Sequence, residues 1–373
     1  GWFGSLSVGA KIAVCFVGVF LCFLTTGVLF VAAKLGKIEQ EDIPREDIVI
    51  NAEIEERLED LGTGYLNVAL FGVDSRDGDL AEGTRTDCII IASLNKETKE
   101  VRMASVYRDT LLDLSEGTLQ KCNAAYSYGG AKMAINMLNM NLDLDIQDYV
   151  TVDFAAIAGA IDLLGGIDIN VLPEEVDPMN KYIAETAKVA EKQANYIEGP
   201  GMQHLDGVQA TTYARIRSTA GGDFTRTERQ RVVIQKIVEK VQMSDLSTIN
   251  KIIDIVFPKV STSFSVTEIL KYARYFADYK LGENTGFPID KTTDTIAEVG
   301  SIVIPVDLED NVRQLHQFLF GTSDYSPSST VRRISGNITA RVGRQNVSSN
   351  QELSTQIYEA DPKEGMDYTG GDN

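Results

Sequence analysis

Hydrophobic and polar positions divide the chain into segments of different character. Residues 12–33 form a run without a charged side chain, and a helix of that length, at about 1.5 Å per residue, spans the ~30 Å hydrocarbon core of a membrane. We interpret the run as an uncleaved transmembrane signal anchor, because it is too long for the apolar part of a signal peptide and no small-x-small pattern follows it. Residues 1–11 are then a short cytoplasmic segment, and the charged residues 34–63 a juxtamembrane stalk.

Residues 64–320 carry the alternating pattern of an α/β domain. Short apolar segments predict strands at residues 65–73, 88–94, 101–106, 149–153 and 167–171. Helical periodicity predicts helices near residues 130–141, 154–164, 181–195, 207–216, 226–241 and 266–279. A short polar link at residues 95–100 predicts an antiparallel hairpin between the second and third strands. The expected fold is therefore a mixed central β-sheet flanked by helices. Residues 321–373 contain few large apolar side chains, which predicts a loose, polar, acidic tail.

Composition narrows the classes of function. The formal net charge of −19 argues against a general nucleic-acid binder, because a phosphate backbone would be repelled. The two histidines and four cysteines show no zinc-site spacing, and His204 is expected to be a packed or surface residue. No Walker or HExxH motif is present in the sequence. Cys88 and Cys122 are open to two interpretations, a disulfide in an oxidising compartment or two buried thiols.

Charged residues stand at the ends of the first three predicted strands. Asp74 follows the first strand, Arg85 and Asp87 precede the second, and Arg108 and Asp109 follow the third. If these strands pair antiparallel in sequence order, all five side chains lie at one edge of the sheet. The alternative is a set of unrelated, solvated strand-end charges.

A second cluster lies at residues 215–231, where five arginines and no lysine fall in an otherwise acidic chain. The planar guanidinium binds phosphate oxygens in pairs and stays charged, which lysine does not reproduce. Arg226 and Gln230 are four residues apart and share a helix face. Arg229 and Arg231 are expected to point elsewhere as surface charge. The alternative is a basic helix that makes salt bridges to neighbouring acids.

Together the two clusters indicate a phosphate clamp beside a divalent-metal site. Mg²⁺ prefers carboxylate oxygens together with substrate phosphates. Asp74 and Asp87 suit that role, with Mn²⁺ as the other candidate ion.

Several motifs, in order, resemble the LytR-CpsA-Psr family of bacterial envelope proteins over residues 65–234. They are GVDSRDG (72–78), RTD (85–87), SVYRDT (105–110), KCNAAYSYGG (121–130), LLGGIDI (163–169) and YARIRSTAGGDFTRTERQR (213–231). The chain departs from the family pattern at Tyr107 and Cys122, neither of which belongs to the charged set.

The resemblance implies a phosphotransferase on the outer side of the cell membrane of a Gram-positive-type bacterium. Its substrates are implied to be a polyprenyl-pyrophosphate-linked glycan, such as teichoic acid or capsule, and a peptidoglycan acceptor, with no nucleic acid. It also implies an open mixed sheet between helices, with an apolar pocket for the lipid tail. The implied metal ligands are Asp74 and Asp87, and the implied pyrophosphate-binding residues are Arg85, Arg108, Arg215, Arg217, Arg226 and Gln230.

The implied chemistry is attack of a muramic-acid hydroxyl on the phosphorus next to the sugar. Asp87, Asp109 and Asp223 are candidates for the base, and with Arg108 they form the expected catalytic set. Two other readings stay open: a pyrophosphatase that uses water as the acceptor, and a non-catalytic envelope regulator or binding module.

Overall fold

The computed structural model describes residues 33–61, 64–73, 86–115 and 117–344, with the side chains of residues 57–61 left aside. A seven-stranded mixed sheet, in the order β1-β10-β7-β2-β3-β4-β11, forms its centre. The strands are β1 (Glu39–Gln40), β2 (Tyr65–Val73), β3 (Thr86–Asn95), β4 (Glu100–Val106), β5 (Leu111–Asp113), β6 (Leu119–Lys121), β7 (Asp148–Asp153), β8 (Ile167–Val171), β9 (Gly201–Leu205), β10 (Val260–Thr262), β11 (Lys280–Phe287), β12 (Lys291–Ile296) and β13 (Gly300–Pro305).

The three central strands pair as their sequence predicts. β3 pairs antiparallel with both β2 and β4, while β7 lies parallel to β2 on its other side. β3 is buried over most of its length because helices cover both faces of the sheet. These pairings bring the ends of β2, β4 and β7 and the start of β3 to one edge of the sheet.

Helices form a layer on each face of the sheet, so the predicted α/β architecture is confirmed. They are α1 (Ala52–Leu61), α2 (Ala124–Leu142), α3 (Phe154–Leu163), α4 (Pro173–Val189), α5 (Gly207–Tyr213), α6 (Asp223–Gln242), α7 (Leu246–Val256), α8 (Val266–Ala273), α9 (Leu308–Phe320) and α10 (Ser329–Val342). Ile89 and Ile91 of β3 join the main core with α2, α9 and α10, whereas Ile90 joins a cluster with Phe154 and Ile234 on the opposite face.

Two predicted elements differ in extent or kind. The polar helix expected at residues 181–195 begins earlier, at Pro173, because proline suits the first helical position and the Glu175 carboxylate accepts from the Leu172 N–H. Residues 201–205, just before the predicted helix near residues 207–216, form β9 and pair antiparallel with β8. His204 lies on β9 at the surface, as expected, with Nδ1 2.7 Å from Asp168 Oδ1.

The expectation of a loose tail over residues 321–373 is wrong for its first part. Residues 329–342 form α10, whose Val331, Ile334 and Ile338 are buried in the main core. A stripe of apolar residues three or four positions apart is enough to pack a helix against a core. The average composition of the segment does not reveal such a stripe. The Ser328 hydroxyl caps the helix by accepting from the Val331 N–H. Residues 345–373 lie outside the described part of the chain.

The segment expected to be a juxtamembrane stalk packs on the domain. Ile43, Ile48 and Ile54 are buried in the main core. Leu35 and Ile38 are buried against Val260 of β10, and Ile38 directly precedes the edge strand β1. Among the described residues no helix is long and apolar enough to cross a membrane. The predicted anchor at residues 12–33 lies outside them, except for Ala33.

Of the two interpretations of the cysteines, a disulfide or two buried thiols, the structure has two buried thiols. Cys88 and Cys122 are both free and buried. Cys88 lies on β3 beside the site described below, and the Cys122 thiol donates to the Tyr107 carbonyl.

Candidate functional site

Charged side chains meet at the edge of the sheet where β3 begins and β4 ends. Because these strands are antiparallel, Asp87 and Arg108 lie side by side, and Arg108 Nη1 donates to Asp87 Oδ1. Arg108 Nε is also 3.6 Å from Asp109 Oδ2 and 3.5 Å from Asp223 Oδ1. The expected convergence therefore holds for the described members of the first cluster. Asp74 and Arg85, which were predicted to belong to it, lie outside the described residues.

The arginine-rich segment brings the second cluster to the same edge. Gly221 and Gly222 have positive φ angles of 81° and 53°, and the chain turns there into α6. Asp223 is the first residue of this helix, and Arg226 follows one turn later. Arg226 Nη2 lies 2.8 Å from Asp223 Oδ1 and donates to the Asp87 carbonyl at 3.1 Å. The helix start therefore joins the two clusters into one ion-pair network.

Asp87 is the centre of this network. Arg226 Nη1 lies 3.7 Å from Asp87 Oδ1, and Arg217 Nη2 lies 3.6 Å from Asp87 Oδ2. With Arg108, three guanidinium groups surround a single carboxylate. Burial raises the pKa of Asp87, but the charges of Arg226, Arg108 and Arg217 outweigh it and hold the pKa below its ordinary value.

The pKa values of Asp223, of the buried Arg226 and of the half-buried Arg108 are shifted in different directions. Burial raises the pKa of Asp223 more than Arg226 and Arg108 lower it. Burial lowers the pKa of Arg226, which is only 1% exposed. For Arg108, the carboxylates of Asp223 and Asp87 more than offset burial, and its pKa is raised. Asp87 and Asp223 thus differ in proton affinity, and Asp223 is the more basic of these two.

A polar pocket of about 270 Å³ opens beside this network. It is lined by Asp87, Phe154, Tyr182, Glu185, Thr186, Arg215, Arg217, Arg226 and Gln230. Gln230 faces the pocket one helical turn after Arg226, as their spacing predicts. The structure therefore collects the predicted residues Asp87, Arg215, Arg217, Arg226 and Gln230 in one cavity. Arg108, Asp109 and Asp223 lie behind Asp87 in the ion-pair network.

An apolar pocket of about 200 Å³ adjoins the polar pocket and shares Phe154 and Gln230 with it. It lies between the sheet and helices α3, α5 and α6. Its lining is Leu70, Phe71, Gly72, Cys88, Ile90, Val150, Val152, Phe154, Ile157, Thr211, Ala214, Gln230, Val233, Ile234 and Ile237. A ligand with an anionic head and a hydrocarbon tail fits this pair of pockets better than a uniformly polar one.

Several buried polar atoms in the network have no hydrogen-bond partner among the described residues. They are Arg108 Nε, Arg226 Nε, Asp223 Oδ2 and Gln230 Oε1, whereas Asp223 Oδ1 is ion-paired with Arg226. The guanidinium N–H groups suit anionic oxygens, and the Asp223 Oδ2 oxygen suits a cation or a hydroxyl donor. Buried groups of this kind are normally satisfied, so the arrangement fits a site that binds an anion together with a cation or an alcohol.

The expectation that Arg229 and Arg231 face away as surface charge is wrong. Arg229 is 4% and Arg231 3% exposed. Arg229 donates to Glu175 Oε1 at 2.6 Å, the Ile216 carbonyl at 3.0 Å and Thr219 Oγ1 at 2.6 Å. Spacing places Arg231 on a different side of α6 from Arg226, whereas Arg229, three residues after Arg226, lies beside it on the helix surface. Arg229 and Arg231 are covered by α4, β11 and the loop before the helix, which the sequence alone does not reveal.

Sequence reasoning missed the contribution of α4 to the polar pocket. Tyr182, Glu185 and Thr186 line the pocket from this helix, which reads as a polar insertion. Glu175, on its first turn, is 1% exposed and forms the ion pair with Arg229. The run Leu172-Pro173-Glu174-Glu175 indicates a helix start. It does not indicate that the helix packs beside the arginines.

Comparison with known proteins agrees with this geometry. A family model described as the LytR_cpsA_psr family matches residues 28–299. The polyisoprenyl-teichoic acid–peptidoglycan teichoic acid transferase TagU of Enterococcus faecalis is 31% identical over 210 residues. That match covers 56% of this chain and 64% of the relative, so the chain spans slightly less than two thirds of that protein's length.

Two solved structures share the fold. TagV of Bacillus subtilis is 26% identical, with a TM-score of 0.53 over 72% of this chain and 100% of that chain. The LytR-CPS2A-psr family protein YwtF (TagT) of the same organism, solved with a bound octaprenyl pyrophosphate lipid, is 19% identical. Its TM-score is 0.51, over 70% of this chain and 92% of that chain. Since the family model covers well over half of the residues, this chain belongs to the LytR_cpsA_psr family.

Proposed function

We propose that the chain is a transferase that moves a glycopolymer from a polyprenyl-pyrophosphate carrier to peptidoglycan. The observation that carries the proposal is the arginine-lined pocket that opens, at Phe154 and Gln230, into an apolar pocket. A pyrophosphate in the first pocket with its lipid tail in the second would occupy both. The name of the relative TagU and the lipid in the YwtF structure support this choice of substrate.

The clamp would act mainly by charge. Arg215, Arg217 and Arg226 line the pocket, and their guanidinium groups would bind the phosphate oxygens and stabilise the negative charge that builds on the leaving phosphate. Arg108 would keep Asp87 and Asp223 in place from behind. Because Arg226 is almost fully buried, its interaction with an anion is screened little by water.

A divalent cation, Mg²⁺ or Mn²⁺, is part of the proposal, with Asp74 and Asp87 as its protein ligands. Among the described residues no group of three or more His, Cys, Asp or Glu side chains could hold a metal, and Asp74 lies outside them. The donor chemistry fits, since hard divalent cations bind through one or two carboxylates plus substrate phosphates. The arginines of the site are already paired with Asp87 and Asp223, so they would compensate only part of the pyrophosphate charge. When bound, the ion would neutralise the rest.

Three carboxylates are candidates to accept the proton of the attacking hydroxyl: Asp87, Asp109 and Asp223. Asp223 is favoured by its raised pKa, because a base works best when its pKa approaches the working pH. Asp87 is surrounded by three arginines, which stabilise its charge and lower its basicity. Asp109 is engaged by Lys121 Nζ at 3.2 Å.

The same proposal places the chain at the outer face of the cell membrane, held by the predicted anchor at residues 12–33. Support comes from the apolar run and the family's motifs. Protease added to intact protoplasts is expected to digest the domain, and full protection would reverse the assignment.

The decisive experiment follows the product made from a lipid-pyrophosphate-linked saccharide and peptidoglycan. We expect saccharide on peptidoglycan, lost in EDTA and restored by Mg²⁺. Free, phosphate-ended saccharide would instead identify a pyrophosphatase. Binding of the lipid without turnover would identify a regulatory module, and wild-type activity in EDTA would remove the metal from the proposal.

A further inference from the structure

Helices α7 and α8 expose apolar side chains to an unusual degree. Both helices are rich in isoleucine, leucine and valine. None of the residues in α7 and α8 is buried. Leu246 is 84% exposed, Leu270 47% and Ile255 41%, and Met243, just before α7, is 77% exposed. Scattered exposed apolar residues are ordinary, but several on neighbouring helices mark a surface that meets something apolar.

Basic and aromatic residues accompany these apolar side chains. Lys271 lies over the Tyr272 ring at 5.3 Å, and Arg274 over the Tyr275 ring at 4.6 Å. Residues 243–279 carry four basic and four acidic side chains, so this segment is far less acidic than the whole chain, whose net charge is −19. Amphipathic helices that carry Lys and Arg, with aromatic rings at the boundary, are typical of segments that lie in a membrane interface.

The chain from the predicted anchor arrives at this surface. Lys34 and Lys37 contact Asp254 of α7 at 2.5 and 2.6 Å. Leu35 and Ile38 are buried in a cluster that includes Val256, Phe257, Val266 and Ile269. Residues 34–38, which directly follow the apolar run in the sequence, therefore lie against α7 and α8.

The same surface is continuous with the apolar pocket. Val150 and Val152 line the pocket and also pack against the cluster of Leu35, Ile38 and Val260. Ile255 of α7 lies against Gly159 of α3, where an added Cβ would come within 2.9 Å of its Cγ2 atom. Ile157, on the same helix α3, lines the pocket. The apolar side chains that line the pocket are therefore in contact with, or on the same helix as, those that pack against α7 and the segment of Leu35 and Ile38.

We propose that residues 243–279 form a membrane-docking surface, with the lipid bilayer as its occupant. Lying on the bilayer, α7 and α8 would bury their apolar side chains at the headgroup boundary and keep Lys271 and Arg274 among anionic headgroups. The docked domain presents its apolar pocket to the lipid tail of a membrane-borne substrate. The inference rests on the proposed membrane anchoring and lipid-linked substrate.

The direct test uses tryptophan fluorescence in the full chain reconstituted into vesicles. The sequence has one tryptophan, so Trp2→Phe provides a background in which Leu246→Trp or Leu270→Trp is the only emitter. Lipids brominated near the headgroup should quench both. Tyr128→Trp, at a 61% exposed position on α2 in the opposite helix layer, is the matched control and should not be quenched.

The outcomes of this experiment separate the membrane docking from the membrane anchoring. Quenching at positions 246 and 270 no stronger than at position 128 overturns the docking surface. If the emission changes with the protein density in the vesicles but not with brominated lipid, the occupant is a second copy of the chain, and the docking surface is again overturned. A chain that fails to enter vesicles contradicts the membrane anchoring and the docking together. A chain that enters and transfers saccharide without quenching contradicts the docking alone.

A functional readout separates docking from catalysis. The combined change of Met243→Ser, Leu246→Ser and Leu270→Ser should lower turnover of a vesicle-borne long-chain substrate roughly tenfold, since its apolar contacts with the bilayer are lost. Turnover of a short-chain, water-soluble substrate should not change. The control combines Tyr128→Ser with Met202→Ser, both exposed elsewhere. Equal loss with both substrates, or no loss with either, would refute the docking role.

Discussion

Arg226 contacts the main chain of Asp87 and the carboxylate of Asp223 with one guanidinium nitrogen, and approaches the Asp87 carboxylate with another. Lysine keeps the charge but not this forked geometry. We expect Arg226→Lys, and likewise Arg215→Lys or Arg217→Lys, to lower transfer activity by about ten- to a hundredfold, since a charge-assisted hydrogen bond is worth about 1.5–3 kcal/mol. The measurement is transfer of a lipid-pyrophosphate-linked saccharide, alongside thermal melting.

The control for these variants must be a truly exposed arginine. Arg313 on α9 pairs with Asp310 and Glu309 at the surface. Arg313→Lys should change the free energy of unfolding by about 0–1 kcal/mol and leave activity unaltered. Similar, small effects at all four positions would leave the clamp without support.

Arg229 is predicted to position the clamp rather than to touch the substrate. Its three donors hold Glu175 of α4 and the Ile216 and Thr219 positions of the loop that carries Arg215 and Arg217. Arg229→Lys cannot make all three contacts, and we expect it to cost about 2–4 kcal/mol of stability, as for a disrupted buried pair. The KM for the lipid substrate should rise even at temperatures where the variant remains folded. Arg341→Lys, at an exposed position that pairs with Glu298, is the control, and an unchanged melting temperature in Arg229→Lys would contradict the prediction.

Glu228 makes stability depend on pH. Burial raises its pKa from an ordinary value of 4.5 to about 7, against the lowering effects of Arg231, Arg229 and Lys291. Between these two values the unfolded chain releases the proton while the folded protein keeps it, so the free energy of unfolding falls as pH rises and levels off above about 7. Glu228→Gln lacks this proton, and its stability relative to the wild type should rise by about 2–3 kcal/mol between pH 5 and 8.

Urea unfolding at both pH values measures this difference. Glu239→Gln, an exposed position paired with Lys236, serves as the control and should show no such trend. A parallel pH dependence in the Glu228→Gln variant and the wild type would show that Glu228 ionises normally in the folded protein.

Among the elements, α10 gives the sharpest test of the fold, because the composition of its segment argued against any packing. Ile334 is fully buried in the main core. Ile334→Ala should lower the free energy of unfolding by about 2–4 kcal/mol through the lost transfer energy and the cavity left behind. Thr339→Ala, at an exposed position of the same helix, is expected to change it by less than about 0.5 kcal/mol. A loss below about 1 kcal/mol in Ile334→Ala would indicate that α10 is not part of the cooperative core.

Helix α4 illustrates the limit of reading elements one at a time. Its polar residues predict a helix, and the structure confirms one with a shifted start. Its importance for the site comes from where it packs, since it supplies Tyr182, Glu185 and Thr186 to the pocket and Glu175 to Arg229. Local periodicity carries no information about that neighbour.

For the whole molecule, the junction of the two pockets predicts that the lipid tail and the pyrophosphate are recognised separately. Val152→Phe should fill part of the apolar pocket and reduce turnover of a long-chain polyprenyl substrate about tenfold, because the displaced hydrocarbon loses its burial. Turnover of a substrate with a very short chain should be spared. Val101→Phe, at a half-buried position of β4 that does not line the pocket, is the control. Equal losses with both substrates would indicate that Val152→Phe merely disturbs the sheet.

The sequence by itself determined the α/β class, the order of the central strands and the convergence of Asp87, Arg108 and Asp109. These follow from local periodicity, from turn chemistry and from the rule that antiparallel neighbours exchange ends, all of which act over short stretches of chain. The charge and spacing of Arg215, Arg217, Arg226 and Gln230 likewise identified the residues of the arginine-lined pocket, and the motifs identified the family.

Only the tertiary structure decided which charges are buried and which apolar residues stay exposed. Arg229 is enclosed because α4 and the preceding loop close over it, and α10 is ordered because its narrow apolar stripe meets a core built from distant segments. Leu246 and Leu270 are exposed although their helices are apolar. Burial depends on which segments meet in space, and those contacts join residues far apart in the chain, which no local pattern records.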